Sequence, residues 1–514
     1  MTKQTKDKKH IVNANTNANT KASAISPQAA TSANRSSSNI SASNATTQVS
    51  SDRQARPNRP VRPKKLRDYV FNPEYRTNIP LILMMFIFVV FGLLILYSVS
   101  APIGFVNSDK ATSTYYVFRQ LAFSAFGITV ALVLMFVPID LFRHKKFSTI
   151  IVVAGYIVCF LLLIIVRFFG VGSETQGAGR WVEVGPITIQ PSEIVKLYTV
   201  YALAWYRNFI EDLKAKGKLQ GEDAKSTFLR QLGIEFFVPV FAIVILAVLI
   251  LIQPHFSCFI LLAIVTFVCI ATSGIKPQIF LTGVLIILTA IGLVVGTIFA
   301  IPPVRENVIT KVQTDYAHVF KRFEIYARER GAETDLTEDD TRQVDRALNA
   351  IGTGDMFGVG FGNSRSKYFY VSEPHNDYIF SIYIEETGFV GGVTLITAYL
   401  VFFALGMREA LRAKSTFART IIVGFSVLIT MQALINIAVT LVVVPPTGIT
   451  LPFVSYGGTA QILLLTCYGM LLSATRSGVK HPPLVKEVKS NKDATKDADG
   501  IVEDILNGQN GGAF

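Results

Sequence analysis

The chain has 514 residues, half of them hydrophobic and only 17% charged, with a mean hydropathy of +0.42. A soluble protein would have to hide that apolar surface in several cores. Here it is gathered into runs of about 17–25 residues, the length that spans ~30 Å of hydrocarbon at 1.5 Å per residue. Of the formal charge of +13, most sits at one end, where residues 1–77 hold 14 Lys and Arg against 4 Asp and Glu. No aromatic platform accompanies that cluster, which disfavours nucleic-acid binding.

Residues 1–52 are rich in Ser, Asn, Thr and Ala, the composition of a disordered tail. The basic stretch Arg53–Arg67 ends close to the first apolar run, where it suits anionic membrane lipids and cytoplasmic retention. Because 77 mostly polar residues precede that run, it reads as a membrane anchor and not as a cleavable signal. Spans are then predicted over 79–100, 116–138, 148–167, 191–206, 236–252, 256–273, 278–300, 377–404, 419–440 and 457–474. The runs lack the alternation of barrel strands, and backbone polar groups in lipid must be satisfied within the element. The predicted fold class is therefore all-α and polytopic, with about ten transmembrane helices. The pair flanking Gln253-Pro254-His255 reads as two spans or as one interrupted element. All four cysteines fall within apolar spans without metal-ligand spacing, as small packing residues do.

Basic residues mark alternate loops: Arg143–Lys146; Arg207, Lys214, Lys216, Lys218 and Arg230; Arg408, Arg412, Lys414 and Arg419. Positive charge favours the cytoplasm, which puts both termini inside and the long segment 301–376 outside. The organisation is then a cytoplasmic tail over 1–77, a transmembrane domain over 78–475 and a cytoplasmic C-terminal tail over 476–514. In the outer segment, Val308, Val312, Tyr316, Val319, Phe320, Phe323 and Tyr326 recur at helical spacing. Lys311, Lys321 and Arg322 flank this stripe, which suits a helix on the membrane surface or one packed on the bundle. A second short helix is signalled by Thr337 and the acidic turn Glu338-Asp339-Asp340, followed by Val344, Ala347, Leu348 and Ile351.

Polar residues crowd four places near the outer boundary. In Gly179–Lys196, Glu193 and Lys196 stand one helical turn apart in an otherwise apolar span, either as a functional pair or as a self-neutralising one. In Gly358–Lys367, three glycines with Arg365 and Lys367 suit phosphate oxygens, although a simple turn has the same signature. Glu373-Pro374-His375-Asn376-Asp377 runs into the eighth span, with Glu385 and Glu386 deeper inside it. The fourth is Val444–Gly448 with Ser455-Tyr456-Gly457-Gly458. Together these describe an extracytoplasmic site of cations and carboxylates, which suits a transporter or an enzyme acting on a lipid-linked substrate.

These segments resemble the SEDS family (shape, elongation, division and sporulation) of polytopic peptidoglycan glycosyltransferases. The resemblance rests on Gly177–Trp181 with Gln190-Pro191-Ser192-Glu193 and Lys196, on Ala350–Gly354, on Glu373–Phe380, and on Thr450–Gly458. Ser364–Tyr370 and Gly448–Pro452 look like its division branch (FtsW) more than its elongation branch (RodA). The resemblance implies lipid II as substrate, polymerised into β-1,4 glycan strands with release of undecaprenyl diphosphate. It implies a class B penicillin-binding protein and other divisome proteins as partners, and residence in the bacterial plasma membrane at the septum. A sugar hydroxyl attacking an anomeric carbon needs a carboxylate base. The leaving diphosphate needs Arg, Lys or a divalent cation such as Mg or Mn.

The family's proposed base is an Asp in the outer loop, followed by Pro and upstream of a Gln. Gln343 matches that Gln, but the Asp-Pro pair is absent. Counting back from Ala350 lands on Leu336, whose neighbour Asp335 becomes the candidate, with a merely solvated Asp335 as the alternative. Arg180 and Trp181 match the pattern beside the substrate groove, and Lys196 suits the diphosphate. Gln190, Ser192, Glu193, Arg365, Lys367, Glu373, His375, Asp377, Glu386, Ser455, Gly457 and Gly458 complete the candidate substrate-binding set. His255 departs from the family, which often has Asp after Gln-Pro. Competing readings are a lipid II flippase, for which no inverted repeats are evident, and a scaffold that activates a transpeptidase.

Overall fold

Every apolar run predicted as a span is a helix in the computed structural model. It describes residues 75–107, 112–170, 179–185, 187–253, 255–306, 310, 317–332, 336–368, 374–445 and 448–480, which belong to one unit, Pro63–Phe514. The helices are α1 (Ile79–Asn107), α2 (Tyr115–Phe136), the short α3 (Ile139–Arg143), α4 (Lys145–Phe169), α5 (Pro191–Ala215), α6 (Ala224–Gln231), α7 (Val238–Ile252), α8 (Phe256–Thr272), α9 (Pro277–Ala300), α10 (Ala317–Arg328), α11 (Glu338–Thr353), α12 (Ile379–Leu411), α13 (Thr416–Thr440) and α14 (Gly458–Ser477). A two-stranded hairpin, β1 (Val182–Val184) with β2 (Ile187–Ile189), precedes α5 and pairs Val182 with Ile189.

Eight helices among the described residues are long and apolar enough to cross a membrane. The other two predicted spans are α8, with 17 residues, and α5, which carries Glu193, Lys196 and Arg207 and is largely buried by its neighbours. Burying α5 is what makes those charges tolerable, because each finds a protein partner instead of lipid. At the opposite extreme, α9 buries only Ile279 and Gly283 of its 24 residues. Leu281, Leu285, Leu288 and Phe299 lie exposed along it, a surface stable only against hydrocarbon. Helix α13 is the central element, with Phe417, Ile421, Phe425 and Ile429 fully enclosed.

The ambiguity at 253–255 resolves into two helices. Arg207 bonds the Glu235 carboxylate at 3.1 Å and the Ser273 carbonyl at 2.5 Å, so the start of the α7 segment and the end of α8 meet at one end. Glu235 lies in a π-helical turn, Leu232–Phe237, that joins α6 to α7, and it also takes Lys214 at 2.6 Å. Two of the loop cations used for orientation thus satisfy a buried carboxylate. The same end of the bundle gathers Lys414, whose N–H donates to the Gly478 carbonyl, and Ser477, whose hydroxyl accepts the Ile139 N–H. Lys414 and Arg476 also stand over the Tyr75 ring ahead of α1, so both ends of the helical domain share a face with the basic loops.

Helices α10 and α11 lie on the opposite face, beside the end of α13. The second, α11, buries Val344, Ala347 and Ala350 as the sequence pattern requires. The first, α10, differs from the predicted stripe: Ile325 packs with Val344 and Val442, while Phe320 and Phe323 stay exposed. Val308, Val312 and Tyr316 of that stripe fall outside the described residues.

The predicted span 377–404 is longer and is broken at Gly388, whose φ of 69° and ψ of −171° leave the helical region. The break frees main-chain groups, and the loop after α11 satisfies them. Val359 and Gly360 donate to the carbonyls of Glu385 and Glu386, and Phe389 and Val390 donate to those of Asp355 and Met356. A helix interruption at this depth survives only because protein, not lipid, takes up the freed bonds.

Candidate functional site

At the face bearing α10 and α11, a cavity of about 170 Å³ opens between the first turns of α2, α5 and α14, the hairpin, and the segments before α12 and α14. Eight of the predicted site residues line it: Arg180, Trp181, Gln190, Glu193, Lys196, Asp377, Gly457 and Gly458. Their positions follow from local structure. Pro191 opens α5 with a fixed φ, so Glu193 falls in the first turn, where a carboxylate suits the positive helix end. Lys196 follows one turn later on the same face. Its Nζ lies 2.7 Å from Glu193 Oε1 and donates to Gln432 Oε1 at 2.6 Å, with both charged side chains almost wholly buried.

Gln432 and Asn436, one turn apart on α13, hold the cavity's far wall. Gln432 donates to the Thr450 carbonyl at 3.1 Å, and Asn436 to the carbonyls of Asp377 and Ile449 at 2.9 and 2.7 Å. Neither amide was singled out from sequence, although two amides four residues apart inside an apolar span are a readable signal. Gly448 sits where the opposing charges approach. A Cβ there would lie 3.1 Å from Asp377 Oδ2 and 3.7 Å from Arg180 Nη1. Burial holds the Arg180 guanidinium down to about 10, with Arg322 of α10 acting in the same direction and Asp377 opposing. Helix α10 therefore brings a further cation into range of the cavity.

His255, flagged as a departure, lines the cavity in the turn between α7 and α8. Its Nδ1 is 3.3 Å from Ser192 Oγ and its Nε2 3.2 Å from the Gly448 carbonyl. Burial, then the charges of Arg180 and Lys196, hold it down to about 3. The folded ring is thus neutral down to about pH 3, while the unfolded ring takes a proton below its ordinary value near 6.5. Stability from this residue is present above about 6.5 and lost as pH falls through that window, by up to about 1.4 kcal/mol per pH unit. Wild-type melting temperature should fall more steeply than that of His255→Gln between pH 6.5 and 4, and parallel curves would contradict this.

Other predicted residues serve the walls. Ser455 Oγ accepts the Leu451 N–H at 2.8 Å and donates to the Asn376 carbonyl at 2.7 Å, which closes the turn before α14. His375 stands behind that turn, its carbonyl accepting the Tyr456 N–H. Thr188, Asn376, Thr450 and Tyr456, from the polar segments named in the sequence, also line the cavity, as do Arg119, Phe123 and Cys258, which those segments do not include.

Lys367 and Glu386 form a separate buried cluster. Lys367 Nζ lies 2.9 Å from Glu386 Oε1 and donates to the Gly362 carbonyl, while Ser98 of α1 donates to the same carboxylate at 2.6 Å. Glu385 accepts the Arg365 N–H at 3.1 Å and the Ser364 hydroxyl at 2.5 Å. The two carboxylates thereby pin the glycine-rich loop to the broken helix, and Arg365 and Lys367 do not line the cavity. Asp335 and Glu373 lie outside the described residues. Among the described residues, no group of three or more His, Cys, Asp or Glu gathers as metal ligands. Glu193 and Asp377 each face a cation, Lys196 and Arg180 respectively.

The family model described as cell cycle protein, FtsW/RodA/SpoVE, matches residues 78–479. Stage V sporulation protein E of Bacillus subtilis (strain 168) is 32% identical over 399 residues, 77% of this chain and 96% of that protein. A probable peptidoglycan glycosyltransferase FtsW of Trichlorobacter lovleyi is 29% identical over 407 residues, 79% and 95% of the two chains. A solved chain from work on the structural coordination of polymerization and crosslinking by a peptidoglycan synthase complex superposes with a TM-score of 0.52. At 23% identity it covers 78% of this chain and 98% of its own, a likeness of fold.

Proposed function

The chain belongs to the FtsW/RodA/SpoVE family of cell cycle proteins, and on that premise we propose that it is a peptidoglycan glycosyltransferase that polymerises lipid II during division. The observation that carries this reading is one cavity that holds Arg180, Lys196, Glu193 and Asp377 at the end of a membrane bundle. A diphosphate tethered to a polyprenyl chain needs cations at the headgroup and hydrocarbon below, and a charged cavity at the end of apolar helices suits both needs. Basic loops and both ends of the helical domain share the other face, which supports a cytoplasmic location for the termini and an external one for the cavity.

In the proposed reaction, a carboxylate removes the proton of a sugar hydroxyl as its oxygen attacks the anomeric carbon of a second lipid-linked sugar. The bond from that carbon to the diphosphate oxygen breaks, and the electron pair leaves with undecaprenyl diphosphate. Arg180 and Lys196 receive the developing charge. Asp335 is assigned as the base. A class B penicillin-binding protein is the proposed crosslinking partner, and the septum the proposed place of action.

Purified protein mixed with labelled lipid II and its transpeptidase partner tests the reading. Glycan polymer from the wild type, reduced at least about 100-fold in Asp335→Ala, is the expected result. Unchanged polymer in that variant would move the base elsewhere in the loop. Lipid II carried across the bilayer without polymer would replace the enzyme by a transporter.

A further inference from the structure

We propose that Tyr456, backed by Tyr116 and His375 and edged by Arg119, is an aromatic platform for the pyranose ring next to the diphosphate of a lipid-linked sugar. The proposal rests on the polymerase reading and adds a subsite to it. Three segments distant in sequence converge here: the first turn of α2, the residues before α12 and those before α14. The Tyr116 ring centroid lies 4.7 Å from that of His375 and 5.0 Å from that of Tyr456, and the His375 and Tyr456 rings are 5.8 Å apart. Tyr456, Trp181 and Arg119 share the cavity wall with Arg180 and Lys196.

The rings are not needed to hold the turn that carries them. The Tyr456 N–H donates to the His375 carbonyl at 2.9 Å, the Gly457 N–H to Gln120 Oε1 at 3.2 Å, and Gln120 Nε2 to the Ser455 carbonyl at 3.3 Å. Leucines would fill the same space, whereas tyrosines and histidine present flat apolar faces with polar edges. A pyranose has the matching character, with a face of C–H bonds and a rim of hydroxyls. Arg119 completes the match. Its Nη1 donates to Tyr115 Oη at 3.1 Å and its guanidinium carbon stands 5.7 Å from the Tyr115 ring centre, which holds a planar donor fork at the exposed edge of the cavity. Such a fork suits a phosphate oxygen pair better than an ammonium does. Arg180 and Lys196 lie deeper, so a sugar on Tyr456 would keep its diphosphate between the rim and interior cations.

The test measures binding and turnover separately in the full-length chain with labelled lipid II. Tyr456→Leu should raise Kd and KM about tenfold while kcat stays within about threefold, and Tyr456→Trp should restore both. Folding of each variant is checked by its melting temperature. Should Tyr456→Leu unfold, Tyr116→Leu carries the same expectation. Wild-type Kd and KM in a folded leucine variant would overturn the platform and leave the polymerase reading intact. Binding by the wild type without polymer would sink the polymerase reading, and the ratio of Kd values would still judge the platform.

Discussion

Lys196→Met is expected to lower polymer formation at least about 100-fold and to cost roughly 3–5 kcal/mol of stability. The lysine is 2% exposed and its partner Glu193 6%, so neither charge is neutralised by water. Removal of the ammonium strands a buried carboxylate and an amide oxygen of Gln432 that had a donor at 2.6 Å. Two roles are superposed in that loss, and a double variant separates them. Glu193→Gln with Lys196→Met removes both charges, so most of the stability should return, because an uncharged pair carries no unpaired-ion penalty. Polymerisation should not return, since the leaving diphosphate still lacks its cation. Melting temperatures and polymer yields of the single and double variants provide the check, and joint recovery of both would reduce the pair to a structural bridge.

Gly388→Ala is expected to destabilise the protein by more than about 3 kcal/mol, enough to show as lost expression or an early melting transition. A side chain pays for a φ of 69° with ψ of −171° in strain, and here it also has no room: its Cβ would collide with the Gly358 nitrogen and the Met356 carbonyl. Moving that loop away would break the four main-chain bonds that seal the interrupted helix, and then the seat of the Lys367–Glu386 cluster. Gly296→Ala in α9 is the control, because nothing lies within 4 Å of a Cβ there. It should be neutral or stabilising by about 0.5–1 kcal/mol. Equal effects at the two positions would remove the argument that Gly388 is held by its surroundings.

The spans were legible because lipid imposes one rule on composition over some 20 residues at a time. The cavity was legible in part for the same reason: Glu193 and Lys196 interrupt an apolar run and must meet protein. What escaped depends on contacts between distant segments. Gly388 looks like any glycine in a membrane helix until the loop from 355 to 360 is seen to occupy its break. Arg365 and Lys367 have the chemistry of a phosphate clamp, yet the fold commits Lys367 to Glu386 and Ser98, residues whose proximity no local pattern records. Tyr116, Arg119 and Tyr456 are ordinary interfacial residues taken singly, and only their convergence gives them a shared role. His255 appeared in sequence as a missing carboxylate, whereas its setting between Ser192 and Gly448 calls for a neutral ring.

Joining wall precursors in this cavity requires that it open to the outside of the cell. Thr188 is exposed on the hairpin and lines the cavity, while the native cysteines Cys159, Cys258, Cys269 and Cys467 are all buried. A membrane-impermeant maleimide applied to right-side-out vesicles should label Thr188→Cys, leave the wild type unlabelled, and label more slowly after preincubation with lipid II. Labelling that requires opened membranes would place the cavity in the cytoplasm and contradict the account.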